Sequence, residues 1–551
     1  MPRQDKQVHT WKQPVAPRPA ATVLLLRDAD DGLEVLMTRR SEKASFVPGA
    51  YVFPGGALDP DDASRRARAL SRLRPGQQEE EQLTFSTAAI REAFEELGVL
   101  LAYRPDGSLA VHEDVTRLDR SQDADFLGQM DAGGYRLAID RVWSLCHWTT
   151  DPDLPKRFDV RFLVAPMPEG QEPESDDSET FEPVWISPKK ALERHERGDF
   201  LMIFPTIRTL RRLAQMPRVE AVLDACSGDR PLWVSAPRGA YYKGEIERYM
   251  ETDPPYGELQ LVAPDGQLVH SLDWDYEKPV RLLSNVQRLT CPNPGRMTGA
   301  GTNTYIIGEP GAYAVIDPGP IEPAHIDRIA AIVGKDLKYI LCTHAHPDHS
   351  PGAAPLKQLT GAPILGAPSG PHFRSEWQFT PDRTLEHGER LAVGDTTLRV
   401  IHTPGHASNH LCFLQEEDRL LYSGDHINNG STVVIDPPDG DMHAYLKALH
   451  ALLDEPIDYI LPAHGWVLGF AHQAIRQLIG HRLGRERKVL EAVRNRGPAD
   501  LKTLLPVVYD DVDPVMHPIA ARSLLAHLEK LVIDGAVRKE GEDIWAVAEG
   551  G

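Results

Sequence analysis

Cysteine is scarce in this chain and scattered. Cys146, Cys226, Cys291, Cys342 and Cys412 are the five among 551 residues, and none forms a C-x-x-C pair. An odd, widely spaced set indicates neither a disulfide framework nor a cysteine-zinc knuckle, and it fits a reducing compartment. Long apolar runs are missing too. None approaches the roughly 18 residues of a membrane helix, and the opening MPRQDKQVHTWKQPVAPRPAA has no apolar stretch of the secretory kind. The expectation is a cytoplasmic protein with no membrane partner. Positive charge is short, with 60 Lys and Arg against 81 Asp and Glu and a net charge of −21. That balance argues against a protein-wide field attracting nucleic acid, while a local basic face or bound cations can still do so. What is present is globular in kind, 41% hydrophobic and 26% charged, and the length exceeds one ordinary core.

Three folded units are expected. Residues 1–18 read as a flexible, Pro-containing lead, and 19–216 as an α/β unit opened by the strand-like runs ATVLLLRD and LEVLMTRR. Within it, the Asp-rich stretch 170–182 reads as an exposed loop, followed by PVWISP and the helical pattern KKALERHERG. Residues 217–284 read as a β-rich linker. A second α/β unit spans 285–480, its apolar runs NTYIIG, YAVID, KYILCTH, TLRVIHT, RLLYSGD and DYILPAH mostly ending at a His or Asp. Residues 481–551 carry three helical stretches and two short strands, the order of a winged helix.

THAHPDHS puts His344, His346, Asp348 and His349 on a turn directly after the strand KYILC. Alternating side chains let two pairs face two ions. VIHTPGH adds His406, YSGD adds Asp425 and LPAH adds His464, all at strand ends on one rim. A lone surface histidine is usually unremarkable; seven ligand-type residues at four strand ends are not. Imidazole with carboxylate suits zinc, and manganese or iron can occupy such sites as well. A water held between two such cations becomes a hydroxide nucleophile near neutral pH, and Asp348 can orient it. His410, four residues after His406, can either hydrogen-bond or protonate a leaving group, or support the ligands from behind.

T-H-x-H-x-D-H is the signature of the metallo-β-lactamase superfamily, which this region resembles. The resemblance implies an αββα sandwich with His344, His346 and His406 on one zinc, Asp348, His349 and His464 on the other, and Asp425 bridging. Asp317, in AVIDPG, matches the family's supporting aspartate or is a plain turn residue. From about residue 286 to 547 the chain resembles the β-lactamase-like protein 2 group, single-strand-selective endoribonucleases, through NPGRMTGAGTNTYIIG, TPGHASNH, RERKVLEAV and AARSLLAHLEKL. Residues 481–496 hold six Lys or Arg against two Glu, a basic helix face or simply a solvated one.

FPGGALDPDD followed by REAFEELGV resembles an interrupted Nudix box, G-x5-E-x7-R-E-U-x-E-E-x-G-U with U apolar. Arg91, Glu92, Glu95, Glu96, Gly98 and Val99 match its second half, and on a helix the three glutamates share one face. Such crowding calls for a cation, with magnesium or manganese and a diphosphate as natural partners. Asp62 stands where the box has Glu, and 28 residues instead of seven separate it from Arg91. LMTRRSEKASFVPGAYVFPGG and the interruption resemble coenzyme A diphosphatases. That resemblance implies an α/β/α fold with Glu95 and Glu96 holding the metal, Glu92 as base or ligand, and Arg91 paired with a helix carboxylate.

The expectation is a two-site hydrolase. The metal centre cleaves a phosphodiester, with single-stranded RNA as the candidate partner, and the Nudix unit cleaves a small-molecule diphosphate. The alternative is an acyl thioester hydrolase with the Nudix unit as a ligand sensor.

Overall fold

The computed structural model describes residues 3–41, 48–77, 80–121, 123–174, 180–228, 230–374, 377–541 and 543–548. It divides into two compact units, Pro14–Pro237 on one side and Met1–Gln13 with Arg238–Gly551 on the other.

The unit Pro14–Pro237 is built on a mixed eight-stranded sheet. Its central strand Arg18–Ala29 runs parallel to Phe158–Pro166 and antiparallel to Gly32–Arg40. Alternation decides the two faces. Ala21, Val23, Leu25, Leu163 and Ala165 pack under Phe85, Ala88, Ala89 and Ala93 of the helix Glu80–Leu97. Phe162, on the opposite face, meets Trp148, which meets Phe204 of the helix Phe204–Leu213. Helices therefore cover both faces, an α/β/α sandwich. Within the Asp-rich stretch Gly170, Glu172 and Glu174 are exposed, while one residue between them is anchored. Gln171 is buried, accepting from Leu100 N and donating to the carbonyls of Leu100 and Ala110. Residues 175–179 of that stretch, and residues 42–47 of the LMTRRSEKASFVPGAYVFPGG motif, lie outside the described residues.

The other unit carries a seven-stranded and a five-stranded sheet. Leu282, Tyr305, Ile307 and Leu341 from the first meet Leu398, Val400, Phe413 and Tyr422 from the second in one buried cluster. Outside the first sheet, Ile306, Val315 and Ile340 pack on the helices Pro323–Val333 and Ala353–Thr360. Outside the second, Cys412, Leu414 and Ile460 pack on Met442–Leu452 and the start of Ala471–Arg496. The layers are αββα.

Three expected boundaries move. The expected flexible lead is anchored: Lys6 pairs with Asp418 at 2.6 Å, Arg3 with Asp458 at 2.9 Å and His9 with Asp265 at 3.0 Å. The expected linker is split. The helix Val219–Ala225 and the strand Trp233–Ser235, paired with Trp143–Thr149, belong to the first unit, while residues from Arg238 build the second. The boundary at residue 480 falls inside one helix, Ala471–Arg496, whose Ile475 and Ile479 join the sandwich and whose Val489 and Val493 join the C-terminal core. That C-terminal core adds the helices Leu501–Val508 and His517–Ile533 and the antiparallel strands Val537–Glu540 and Ile544–Val547.

Residues 238–284 were the least legible, and a buried ion pair explains why they belong here. Glu258, on the helix Tyr256–Val262, is fully buried against Arg288, bonds His270 Nε2 at 2.9 Å and accepts from Val467 N at 3.3 Å. Burial opposes its charge, yet Arg288 and His270 hold its carboxyl down at about 2. Its folded value lies below the ordinary 4.5, so its stabilising contribution is complete above pH 4.5 and is lost as pH falls toward about 2. Glu258→Gln leaves the Arg288 charge uncompensated and is expected to cost about 3–5 kcal/mol. Denaturant unfolding near neutral pH checks it; a loss below about 1 kcal/mol contradicts it.

Candidate functional site

The ligand residues converge because their strands point the same way. Leu420–Gly424 and Tyr459–Pro462 are parallel neighbours, so Asp425 and His464 leave from one edge. Ala312–Ile316 and Leu337–Leu341 are parallel neighbours in the other sheet, delivering Asp317 and the THAHPDHS turn. Thr396–His402 runs in the direction of Leu420–Gly424 across one antiparallel strand and delivers His406.

Two ligand groups result, His344 with His346 and His406, and Asp348 with His349, Asp425 and His464. In the first, the Nε2 atoms of His344 and His406 lie 2.9 and 3.0 Å from His346 Nδ1. A single ring lone pair cannot accept two such donors well, whereas three nitrogens around one cation converge naturally. In the second, His464 Nε2 is 3.2 Å from Asp425 Oδ1 and 3.4 Å from Asp348 Oδ2. These match the edge of roughly 3.3 Å expected of a tetrahedral site with bonds near 2.0–2.1 Å. Asp425 Oδ2 lies 3.6 Å from both His349 Nε2 and His406 Nε2, one from each group, as a bridging carboxylate requires. The Nε2 atoms of His349 and His464 are buried without a hydrogen-bond partner, and both face this space. The residues fit two divalent cations.

Charge agrees with geometry. Burial opposes protonation of His464, yet Asp425 and Asp348 lift it to about 10, and Asp348, Asp425 and Asp317 likewise lift His349. The carboxylates thus draw positive charge onto imidazoles where cations would supply it. His344 and His346 are pushed down by burial and by neighbouring imidazoles, foremost His349 for His344 and His406 for His346, which falls to about 3.

In four of the five histidines the opposite ring nitrogen is tied. His344 Nδ1 meets Thr343 Oγ1 at 3.0 Å, His349 Nδ1 meets Asp317 Oδ2 at 2.9 Å, His406 Nδ1 meets Val434 O at 2.7 Å and His464 Nδ1 meets Gly301 O at 3.2 Å. Asp317 also accepts from Thr343 N and Oγ1, at 2.8 and 2.7 Å. Of its two readings, support for the ligands is the one its geometry carries. Asn303 explains the TGAGTNT motif, since its amide donates to the carbonyls of Pro462 and Gly465 on either side of His464.

His410 differs from the leaving-group reading. It is fully buried, its Nε2 accepts from Asp425 N at 3.2 Å and its Nδ1 meets Thr403 Oγ1 at 2.9 Å. Both ring nitrogens are spent, which leaves a positioning role behind Asp425. Gly424, at φ +50°, has no room for a side chain, because a Cβ would lie 2.7 Å from His410 Nε2. Residues missed in the sequence include Asn428, which donates to Asp425 Oδ1 at 3.2 Å, and Phe373, whose ring stacks on His346 at 5.6 Å. Neither stands in a pattern that marks it.

The Nudix residues also meet. Asp62 lies in the short turn Pro60–Ala63, and Arg91 grips it with Nε at 3.1 Å and Nη2 at 3.0 Å. Arg91 Nη1 reaches Glu92 at 2.8 Å and Glu95 at 3.0 Å, and Glu96 accepts from Gly55 N at 3.2 Å. The interruption is thereby closed in space, and Asp in place of Glu still supplies a fork for the guanidinium. Arg91 pairs with both Glu92 and Glu95, so one oxygen of Glu95, expected on the metal with Glu96, is engaged elsewhere. A Cβ on Gly56 would meet the Glu92 carboxylate at 2.5 Å, which accounts for the glycine. Burial lifts Glu95 to about 7, with the Glu92 and Asp62 charges adding to it against the pull of Arg91. Three carboxylates contact one guanidinium, with Glu96 next to them on the helix, and a divalent cation fits that set.

Comparison with known proteins follows the same division. The profile of the Metallo-beta-lactamase superfamily matches residues 297–464, that of the Beta-lactamase associated winged helix domain 501–545, and that of the NUDIX domain 16–203. The chain belongs to the metallo-β-lactamase superfamily and is a hydrolase that also carries a Nudix domain. Among similar proteins, the Beta-lactamase-like protein 2 homolog of Drosophila melanogaster is 31% identical over 47% of this chain and 91% of its own length. The Caenorhabditis elegans homolog is 30% identical over 47% and 88%. An Atrochrysone carboxyl ACP thioesterase of Aspergillus chevalieri is 35% identical over 39% and 67%. Among the described residues no helix is long and apolar enough to cross a membrane.

Asp317→Asn is expected to weaken metal binding about 10–100-fold by loosening His349 and Thr343 together. Chelator competition reads the change; an unaltered affinity contradicts the supporting role.

Proposed function

We propose that the dinuclear centre hydrolyses an acyl thioester and that the Nudix site hydrolyses a diphosphate linkage. The ligand set alone does not choose between carbon and phosphorus. The observation that carries the choice lies in the C-terminal helix, where three of the six basic residues that favour a nucleic acid strand are engaged within the chain. Arg482 is buried, Arg485 pairs with Asp511 at 2.7 Å, and Lys488 pairs with Asp510 at 3.0 Å. With a net charge of −21, little remains to attract a polyanion. The similarity to an ACP thioesterase supports the same reading.

Two zinc ions at the centre would acidify a water toward neutrality and offset the negative charge that develops on the attacked atom. The protein does the rest. Asp348, partly exposed beside His349 and His464, is placed to orient the nucleophile, and His410 holds Asp425 from behind. Phe373 covers one face of His346 and excludes water there. In the Nudix site, Glu95 and Glu96 would hold magnesium or manganese with Glu92 beside them as base or further ligand, and Arg91 keeps Glu92 and Glu95 in register.

A second reading, cleavage of single-stranded RNA, is favoured by the similarity to the β-lactamase-like protein 2 homologs across nearly their whole length and by Arg487, Arg494 and Arg496, exposed on the C-terminal helix. Purified protein is to be tested on acyl thioesters, end-labelled single-stranded RNA and diphosphate compounds. Wild type is expected to turn over thioesters with His346→Ala at least ~10³-fold slower, in the range for removing a key polar catalytic group. RNA cleavage by wild type and not by His346→Ala, with thioesters untouched, replaces the first reading with the second. Glu95→Gln combined with Glu96→Gln is expected to abolish diphosphate turnover and spare the other activity. Survival of every diphosphate activity in that variant places the site elsewhere.

A further inference from the structure

The C-terminal helix carries a residue whose burial the function above does not use. Arg482 is 3% exposed in the middle of Ala471–Arg496, an unusual place for a guanidinium with no carboxylate partner among the described residues. Its Nη2 donates to the carbonyl of Val433, and its guanidinium lies 5.2 Å from the Tyr445 ring. The next carbonyl along, that of Val434, accepts from His406 Nδ1 at 2.7 Å. The same loop is held at further points. Ser408 donates to Asp439 at 2.6 Å, Asp441 N donates to Gly405 O at 2.8 Å, and Arg522 of the next long helix reaches Asp436 at 3.2 Å. Tyr445, under the guanidinium, donates at 2.8 Å to the carbonyl of His426, the residue after Asp425.

The geometry points to Arg482 as a positioning residue for the metal centre: by holding Val433 O it keeps the loop 433–441 in place, and the adjacent Val434 O then fixes the orientation and tautomer of His406. A ligand histidine needs its outer N–H fixed if its inner nitrogen is to keep aim and basicity. Elsewhere in the site that anchor sits on the sandwich itself, on Thr343, Asp317 or Gly301. For His406 it sits on a loop pinned by a helix that continues into the winged-helix core. The C-terminal region is thereby a structural support of the centre.

This inference rests on the dinuclear reading, and the experiment separates the two. The full chain, loaded with zinc, is challenged with a chromogenic chelator, and zinc release is followed in wild type, Arg482→Met, Arg482→Lys and Arg485→Ala. Arg482→Met is expected to bind one of the two ions about 10–100-fold more weakly, with kcat falling and KM unchanged. Arg482→Lys, which keeps a donor for Val433 O, is expected to recover part of that loss. Arg485→Ala, which removes the neighbouring pair with Asp511, is expected to release zinc as wild type does. Circular dichroism of the metal-free chains checks folding. If metal-free Arg482→Met does not fold, Arg522→Ala at the exposed end of the same loop takes its place, with faster release of one ion expected. Wild-type release from folded Arg482→Met, or from Arg522→Ala where that is the variant that folds, overturns the positioning role. A wild-type chain that binds no zinc overturns the dinuclear reading instead.

Discussion

Two carboxylates, Asp348 and Asp425, share one edge of the αββα sandwich with five imidazoles, and their mutual repulsion is the constraint that the surrounding structure answers. Burial makes it severe, because charge taken out of water must be paired or neutralised. Without cations, protons on His349 and His464 meet the demand. With cations, the same atoms become ligands. His344, His349, His406 and His464 can serve in that way because a hydroxyl, carboxylate or carbonyl holds the far nitrogen of each.

Much of the remaining architecture consists of those far-side anchors. Asn303 clamps the backbone around His464, Asp317 ties His349 to Thr343, and Glu258, buried with Arg288, braces the loop after His464 through Val467 N. Residues 238–284 and the C-terminal helix therefore belong to the hydrolytic unit in a physical sense, whatever the composition of their surfaces. The Nudix box repeats the theme on a smaller scale, with a cation of the chain itself, Arg91, gathering Asp62, Glu92 and Glu95.

The seven candidate metal ligands and the Nudix glutamates could be picked out in the sequence because they lie in short, contiguous motifs whose spacing reflects strand ends and helical faces. The six apolar runs of the second unit were legible for the same reason. Local chemistry wrote them, and local chemistry can be read. What could not be read were interactions between residues far apart in the chain. Asp62 and Arg91 close a gap of 28 residues. Lys6 pairs with Asp418 across more than 400 positions, so a Pro-containing lead that looks flexible is anchored. The six basic residues of 481–496 look like one face for a polyanion until Arg482 is buried and Asp511 and Asp510 fold back onto Arg485 and Lys488.

By itself, then, the sequence determined which chemistry this protein can hold, since ligand identity and spacing are properties of a few neighbouring residues. Tertiary structure alone decided how each ligand is aimed, that His410 supports Asp425 and does not face a leaving group, and that Arg482, Arg485 and Lys488 serve the fold. Those outcomes depend on which distant donor reaches which buried nitrogen or oxygen, and burial makes every such pairing compulsory without marking it in the local sequence.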